Sequence, residues 1–164
     1  MKRMILLGLL LILVLAGCGG KKAAVSPALT VDGTTFTHES TVEEILTALG
    51  EDYTYYEAIS CVYDGMDKTY DYGNVVVYTY PDGETDRLME LYCTGGEVSA
   101  QGITVGSAKD DVVRTFGTGY TEEGSVLSYS LKATEAQNTP ASLYFELEDE
   151  TVTAIAITAE HREE

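Results

Sequence analysis

The sequence has few of the residues that build common metal, nucleophile and nucleic-acid sites. Its 164 residues include no Trp, three Pro, two His and three Cys. A metal site made of His and Cys therefore has few ligands to draw on. Ten Lys and Arg stand against 27 Asp and Glu, which gives a net charge of -17. Such a chain is unsuited to binding nucleic acid through phosphate contacts, or an anionic membrane through a basic patch.

The remaining composition is that of a globular protein. Hydrophobic residues make up 45% of the chain and charged residues 23%, which argues against wholesale disorder. The length has room for one compact domain or two very small ones. Tyrosine is unusually frequent, with 12 residues, nine of them between Tyr53 and Tyr92.

No motif of a catalytic site is present. The sequence lacks a nucleophile elbow, an HExxH, a CxxC and a phosphate-binding loop. His38 and His161 stand alone, and we expect both on the solvated surface. Among 27 carboxylates some pair always lies close, so an acid/base pair cannot be singled out. We predict no catalytic residue, no cofactor and a protein that is not an enzyme. An envelope enzyme acting through acidic residues stays open as the alternative.

Two acidic segments offer oxygen ligands for Ca²⁺. They are Asp64-Gly-Met-Asp67 with Asp71, and Asp82-Gly-Glu84-Thr-Asp86. Neither matches an EF-hand loop, and clusters of this kind are typical of solvated hairpin tips. We therefore predict no metal site.

The N-terminal segment has the pattern of an export signal. A basic start, Met1-Lys2-Arg3, precedes 13 residues, 4–16, that are all apolar or Gly. This run is shorter than the ~20 residues that a membrane-spanning helix needs, and it fits the apolar region of a signal peptide. The run ends in Leu15-Ala16-Gly17-Cys18.

That ending resembles the lipobox of bacterial lipoproteins. In this family the Cys thiol is acylated and the chain is cut just before it. The resemblance implies a signal peptide over 1–17 and a diacylglycerol- and palmitate-type lipid on Cys18. It also implies a place at the cell membrane facing out of the cytoplasm, the extracellular side in a Gram-positive cell. An ordinary signal peptide with an accidental Cys, or an uncleaved anchor helix, are the alternatives.

The segment after the lipobox has the composition of a tether. Loss of residues 1–17 removes Lys2 and Arg3, which leaves eight basic against 27 acidic residues and a net charge of -19. Residues 19–27 are small and polar, without apolar periodicity. We predict a flexible tether over 18–29 that holds the folded part away from the membrane.

The folded part matches itself when the chain is shifted by 67 residues. Helix, helix stop and strand coincide without a gap, and after the hairpin the offset becomes 64. The matched sets are Ser40 on Ser107, Ile45, Leu46 and Leu49 on Val112, Val113 and Phe116, Gly50 on Gly117, and Val76, Tyr78 and Tyr80 on Leu143, Phe145 and Leu147. We predict two repeats, over 30–98 and 99–160.

Local patterns assign the elements of each repeat. Ser40 and Ser107 are placed to cap helices, with an acid three residues on, and Gly50 and Gly117 are placed to end them. These patterns predict helices at about 41–49 and 108–116. Strands are predicted over 53–63, 70–80, 86–94, 125–132, 141–147 and 151–159. The predicted class is α+β, a tandem repeat of a short helix followed by an antiparallel sheet of three to four strands.

A family resemblance rests on the second helix. Its residues are Gly102-Ile-Thr-Val-Gly-Ser107-Ala-Lys-Asp-Asp-Val112-Val-Arg-Thr-Phe116-Gly117. They resemble the opening of small exported repeats such as the β-lactamase inhibitor protein (BLIP) and the small lipoprotein of the outer-membrane assembly machinery. The first half contains Ser60-Cys61, Asp67-Lys68-Thr-Tyr70 and Thr79-Tyr80-Pro81-Asp82-Gly83. With these segments it also resembles uncharacterised lipoproteins of Gram-positive gut anaerobes. This implies a BLIP-like pair of units whose sheet face binds proteins. No inhibitor contact residue can be matched, so lactamase inhibition does not carry over.

Tyrosines are the candidate binding residues, because binding surfaces are rich in them. The self-match places Tyr78 and Tyr80 in the core, with Val77 and Tyr144 on the opposite face. The candidates are Tyr55, Tyr63 and Tyr144. We expect a non-enzymatic, surface-anchored lipoprotein that binds a protein, or else a peptide or wall polymer, through its sheet face. The membrane, reached through the lipid on Cys18, is its other partner.

Cys61 and Cys93 are a candidate disulfide, because an exported protein meets an oxidising space. If the predicted middle strand separates them, their Cα atoms lie two strand spacings apart, about 9.5 Å. A disulfide needs about 4.4–6.8 Å. We predict two free thiols, although neighbouring first and third strands would allow the bridge.

Overall fold

The structure is a computed structural model that describes residues 28–131 and 140–159. The predicted signal peptide over 1–17, the predicted lipidation site Cys18, most of the predicted tether and His161 lie outside the described residues. Among the helices that are described, none has the length and apolarity needed to cross a membrane.

The described residues form eleven strands and two helices. The helices are α1 (Val42–Leu49) and α2 (Lys109–Phe116). The strands are β1 (Ala28–Val31), β2 (Thr34–Thr37), β3 (Thr54–Ile59), β4 (Met66–Asp71), β5 (Val75–Asp82), β6 (Thr85–Cys93), β7 (Val98–Ser99), β8 (Thr121–Glu123), β9 (Val126–Leu131), β10 (Ala141–Glu148) and β11 (Thr151–Ala159).

The strands make two antiparallel sheets. The large sheet has eight strands in the order β3-β4-β5-β6-β11-β10-β9-β8, and the small sheet has three in the order β2-β1-β7. The centre of the large sheet is the β6–β11 pair, in which Leu91 faces Ile157 and Cys93 faces Ile155.

One face of the large sheet carries the core. Strand alternation places Val77, Leu91, Ile157 and Leu143 in one row across β5, β6, β11 and β10, and none of the four is exposed to solvent. Both helices and the small sheet pack on this face, through residues that join the same apolar cluster: Val42, Ile45, Val112, Phe116, Leu29, Val31 and Phe36. We call this the core face.

The predicted fold class is wrong. Of the described residues 54% are in strands and 13% in two helices, so the protein is mainly β and not a tandem helix-plus-sheet repeat. The physical reason is the β6–β11 ladder, which hydrogen-bonds the strands expected in two separate sheets into one. The resemblance to BLIP therefore gave the wrong fold class.

Several strands differ from the predicted ones. The single strand expected over 70–80 is two strands, β4 and β5, because the chain turns at Gly73, whose φ is 87°. Glycine takes that conformation at no steric cost. The small sheet and β8 were not expected at all. β1 begins at Ala28, inside the predicted tether, and β7 spans the predicted boundary at 98/99.

The helices lie within one residue of their predicted positions. The cap of α1 is Thr41 rather than Ser40: its hydroxyl accepts from Glu44 N, and the Glu44 carboxylate accepts from Thr41 N at 2.9 Å. The α2 cap position holds Ala108, which has no side-chain cap bond. Gly50 and Gly117 follow the two helices with φ of 88° and 87°.

The expected placement of three residues of β5 is wrong. Val77 is fully buried on the core face, whereas Tyr78 and Tyr80 point to the opposite face and are half-buried. The alignment of the chain with itself was shifted by one residue in β5. A shift of one residue in register moves every side chain of a strand to the other face. Tyr144 lies on the face opposite the core, as that match placed it.

Candidate functional site

The face of the large sheet opposite the core concentrates tyrosines and carboxylates. Among the described residues no helix and no strand of the small sheet packs there. Its half-buried side chains come from three strands and define what we call the tyrosine–glutamate face: Val76 and Tyr78 of β5, Glu90 and Tyr92 of β6, and Tyr144 and Glu146 of β10.

Small residues of β11 let these side chains meet across the strand between them. In register, Ala156 lies between Tyr92 and Tyr144, and Ala154 faces Glu146. The Tyr92 hydroxyl reaches over β11 and donates to Glu146 Oε2 at 3.0 Å. Ala154 and Ala156 are 1% and 3% exposed although neither α1 nor α2 lies over them. The larger neighbours therefore shield this strand.

Glu90 is held in a setting that disfavours its charge. It faces Tyr78 on one side and Thr158 on the other. Burial raises the pKa of Glu90, the negative charge of Glu146 raises it further, and a hydrogen bond with Thr158 acts in the opposite direction. Burial and the bond to Glu146 also raise the pKa of Tyr92 to about 12. The face thus holds two neighbouring carboxyl groups with a phenol hydroxyl bound to one of them.

Replacement of Glu90 by Gln should stabilise the protein at neutral pH. The folded-state pKa of Glu90 lies above its ordinary value of 4.5, so the folded protein binds this proton more tightly than the unfolded chain. The contribution of Glu90 to stability is therefore full below pH 4.5 and is lost as the pH rises through the raised pKa. In Glu90→Gln the Tm should be a few degrees above wild type at about pH 7 and equal to it at about pH 3.5. A Tm difference that is the same at both pH values would contradict the raised pKa.

The tyrosine–glutamate face has almost no positive charge. Strands β9, β10 and β11 contain no Lys or Arg. At the margin, on β6, Arg87 Nε donates to Asp82 Oδ2 at 2.8 Å. The carboxylates of Glu90 and Glu146 consequently lack a basic partner on these strands, and a positively charged group could approach them from solvent.

The three tyrosines chosen from the sequence do not form one site. Tyr55 lies on β3, in register with Tyr70, and so on the core side of the sheet. Tyr63 lies in the loop before β4 and stacks on Tyr80, with ring centroids 4.8 Å apart. Tyr144 alone belongs to the tyrosine–glutamate face.

The sequence patterns that predicted the candidate tyrosines do not include Glu90, Tyr92 and Glu146. The signal that could have found them is a pair of reciprocal triplets, Glu90-Leu-Tyr92 and Tyr144-Phe-Glu146. In a strand, residues two apart share a face, so each triplet puts Tyr beside Glu with an apolar residue on the core side.

A groove of about 1140 Å³ lies elsewhere, between the start of α1 and the β5–β6 hairpin. Its lining includes Glu43, Tyr70, Asp86 and Arg87, and neither Glu90 nor Glu146. His38 also lines it and is 5% exposed, so the expectation of a solvated His38 is wrong. Its burial follows from its place between the small sheet and α1, two elements of the core.

The acidic loops do not gather into a metal centre within the described part of the chain. No group of three or more His, Cys, Asp or Glu there could hold a metal ion. Two of the loop carboxylates pair with cations instead: Asp86 with Lys68 at 2.7 Å, and Asp82 with Arg87.

Cys61 and Cys93 are free thiols in the structure. Cys61 is exposed in the loop between β3 and β4, and Cys93 is buried at the end of β6. In the strand order β5 lies between β4 and β6. Burial, followed by the negative charge of Asp32, raises the pKa of Cys93 to about 12. The number of reactive thiols in solution stays a prediction.

Comparison with known proteins gives little. No protein-family model matches the chain, and no curated protein sequence matches it either. A solved structure that matches is a DUF4309 family protein (YjgB) from Bacillus subtilis subsp. subtilis str. 168, a Gram-positive bacterium. It is 16% identical, with a TM-score of 0.40, over 74% of this chain and 80% of that chain. At these values the likeness carries no argument about function.

Proposed function

We propose that this protein is a non-enzymatic binding module, held at the outer side of the cell membrane by a lipid on Cys18, that binds a positively charged segment of a partner protein. The binding surface is the tyrosine–glutamate face. The lipid anchor rests on the sequence Leu15-Ala16-Gly17-Cys18 at the end of the apolar run.

The observation that carries the proposal is the pairing of carboxylates with aromatic rings on the tyrosine–glutamate face. The strands β9, β10 and β11 of the same sheet contain no Lys or Arg. Glu90 and Glu146 can accept charge-assisted hydrogen bonds from Lys or Arg. Tyr78, Tyr92 and Tyr144 can hold the same cations over their rings. A bound cation would also favour the charged form of Glu90 and so offset the cost that burial places on its charge.

An enzyme that acts through Glu90 and Glu146 is the second candidate. The raised pKa of Glu90 beside a second carboxyl group favours it, because an acid/base pair needs unlike protonation states. Against it, both residues lie on a sheet surface and outside the groove at α1. Catalytic groups more commonly converge in a cleft, so the binding module is the better supported of the two.

The test measures binding of a blocked penta-lysine peptide to the full chain in detergent at about 0.15 M salt. The wild-type chain should bind it, and Glu90→Gln combined with Glu146→Gln should weaken the affinity about tenfold or more. Each charge-assisted hydrogen bond contributes about 1.5–3 kcal/mol, and 1.4 kcal/mol is a factor of ten.

A matched control removes the same charge elsewhere. Glu43→Gln combined with Glu97→Gln changes two exposed carboxylates away from the face, and the affinity should fall by less than about threefold because exposed charges are screened. An equal loss in both double variants would show attraction to the net charge alone and would overturn the proposed face.

A further inference from the structure

Strand β3 is an exposed edge of the large sheet. It ends the strand order, and all six of its residues, Thr54–Ile59, are exposed. Four of the five large hydrophobic residues found exposed among the described residues lie on it or just before it: Tyr53, Tyr55, Tyr56 and Ile59. The fifth, Val62, is in the loop that follows.

The ladder shows which backbone groups of β3 face solvent. Ser60 N donates to Gly65 O at 3.0 Å, and these residues continue the register in which Ala58 faces Asp67 and Tyr56 faces Thr69. Hydrogen-bonded pairs alternate along an antiparallel ladder, so the even residues bond to β4. The N–H and C=O groups of Tyr55, Glu57 and Ile59 therefore point to the open edge.

This edge has little of the usual protection against pairing. Natural edge strands carry charged side chains, above all Lys, or Pro, are very short, or are covered. β3 has six residues, neither Lys nor Pro, and Glu57 as its one charged residue. The other edge of the sheet, β8, has three residues, and two of them are Glu122 and Glu123. The contrast singles out β3 as the edge that can accept another strand.

The negative charge around β3 favours a positively charged added strand over a second copy of this chain. Six carboxylates lie between residues 51 and 71. The one cation in that span, Lys68, lies opposite Glu57 in the β3–β4 ladder and is bound to Asp86 at 2.7 Å. The six are Glu51, Asp52, Glu57, Asp64, Asp67 and Asp71. A second copy of the chain would bring two such sets together, whereas a cationic segment would be attracted.

We propose that β3 binds an extended cationic segment of a partner protein as a ninth strand of the large sheet. Residues two apart on the added strand share a face. A Lys or Arg faces Glu57, and apolar residues two positions to either side face Tyr55 and Ile59. This site is separate from the tyrosine–glutamate face and does not depend on it.

The experiment follows backbone amide signals of the ¹⁵N-labelled full chain in detergent. The probe is a blocked peptide, Thr-Val-Thr-Lys-Thr-Val-Thr. The amides of Tyr55, Glu57 and Ile59 should shift more than those of Tyr56 and Ala58, because only the former donate to the added strand. A probe N-methylated at its Val and Lys residues, which face Tyr55, Glu57 and Ile59, should not bind.

Charge reversal tests the side-chain assignment. Glu57→Lys should lower the affinity for the Lys-containing probe about tenfold or more. The same variant should bind a second probe in which Glu replaces the central Lys. Glu123→Lys makes the same charge change on the opposite edge strand and should leave the affinity within about threefold. If Glu57→Lys does not give the amide spectrum of the folded protein, the experiment uses Glu57→Gln instead, because this smaller change leaves the backbone preference unchanged.

Three outcomes would overturn the inference. Shifts confined to Tyr78, Glu90 and Tyr92 would place the peptide on the tyrosine–glutamate face. Equal binding of the N-methylated probe would exclude strand addition. Shifts of β3 amides that depend on protein concentration without any probe would show that a second copy occupies the edge.

Discussion

Truncation of Phe116 to Ala should destabilise the protein by about 3–5 kcal/mol. Phe116 ends α2 and is 5% exposed. Its ring lies 5.3 Å from that of Tyr129 and 5.2 Å from that of Phe145, measured between centroids. These rings are part of the packing that holds α2 on the sheet. The truncation therefore leaves a cavity that the surrounding strands fill only in part. Urea unfolding followed by circular dichroism measures the loss.

Leu49→Ala is the matched control for this prediction. Leu49 occupies the last position of α1, as Phe116 does in α2, but it is only half-buried. Its truncation leaves less of a cavity, and we expect a cost below about 2 kcal/mol. A larger cost for Leu49→Ala than for Phe116→Ala would contradict the placement of α2 in the core.

The helices were predictable because their signals are local. Apolar spacing at i, i+1 and i+4 and a following Gly mark α1 and α2 without reference to the rest of the chain. The capping box of Thr41 and Glu44 is a further local signal, present in α1 alone of the two. The packing of α2 is also anchored locally, since the Tyr129 hydroxyl donates to Gly117 O at 2.9 Å, at the end of the helix.

The sheet was not predictable in the same way. Nothing near Leu91 or Ile157 specifies that β6 pairs with β11, which lies more than sixty residues further on. The small sheet joins β1 to β7 across a similar distance. Non-local pairing of this kind depends on the whole set of strands competing for neighbours, and the class was wrong for that reason.

The tyrosine–glutamate face was not predicted from the sequence, and the reason is a different one. The frequency of Tyr drew attention to tyrosine itself, whereas the feature of the face is Tyr beside Glu at positions two apart. Which of Tyr78 and Val77 faces the core depends on one residue of register, and the turn at Gly73 sets that register. Propensity alone cannot place a turn with that accuracy when both flanking segments are strong strand formers.

Truncation of Leu91 to Ala tests whether the eight strands unfold as one unit. Leu91 lies at the centre of the large sheet, between Val77 and Ile157, and none of the three is exposed. We expect a loss of about 2–5 kcal/mol. Because one apolar cluster includes strands from both sides of the β6–β11 pair, the whole unfolding curve should move to lower urea while remaining a single transition. Circular dichroism and tyrosine fluorescence should coincide.

Met89→Ala provides the control within the same strand. Met89 lies at the irregular step of the β5–β6 register, where Tyr78 faces Glu90 and Thr79 faces Leu88, and it is half-buried. Its truncation removes less buried surface than that of Leu91 and should cost less. Two separate transitions, of which Leu91→Ala shifts only one, would show that the strands on either side of the β6–β11 pair fold independently. The continuous sheet predicts the opposite, because loss of the central contact weakens the ladder from which both sides extend.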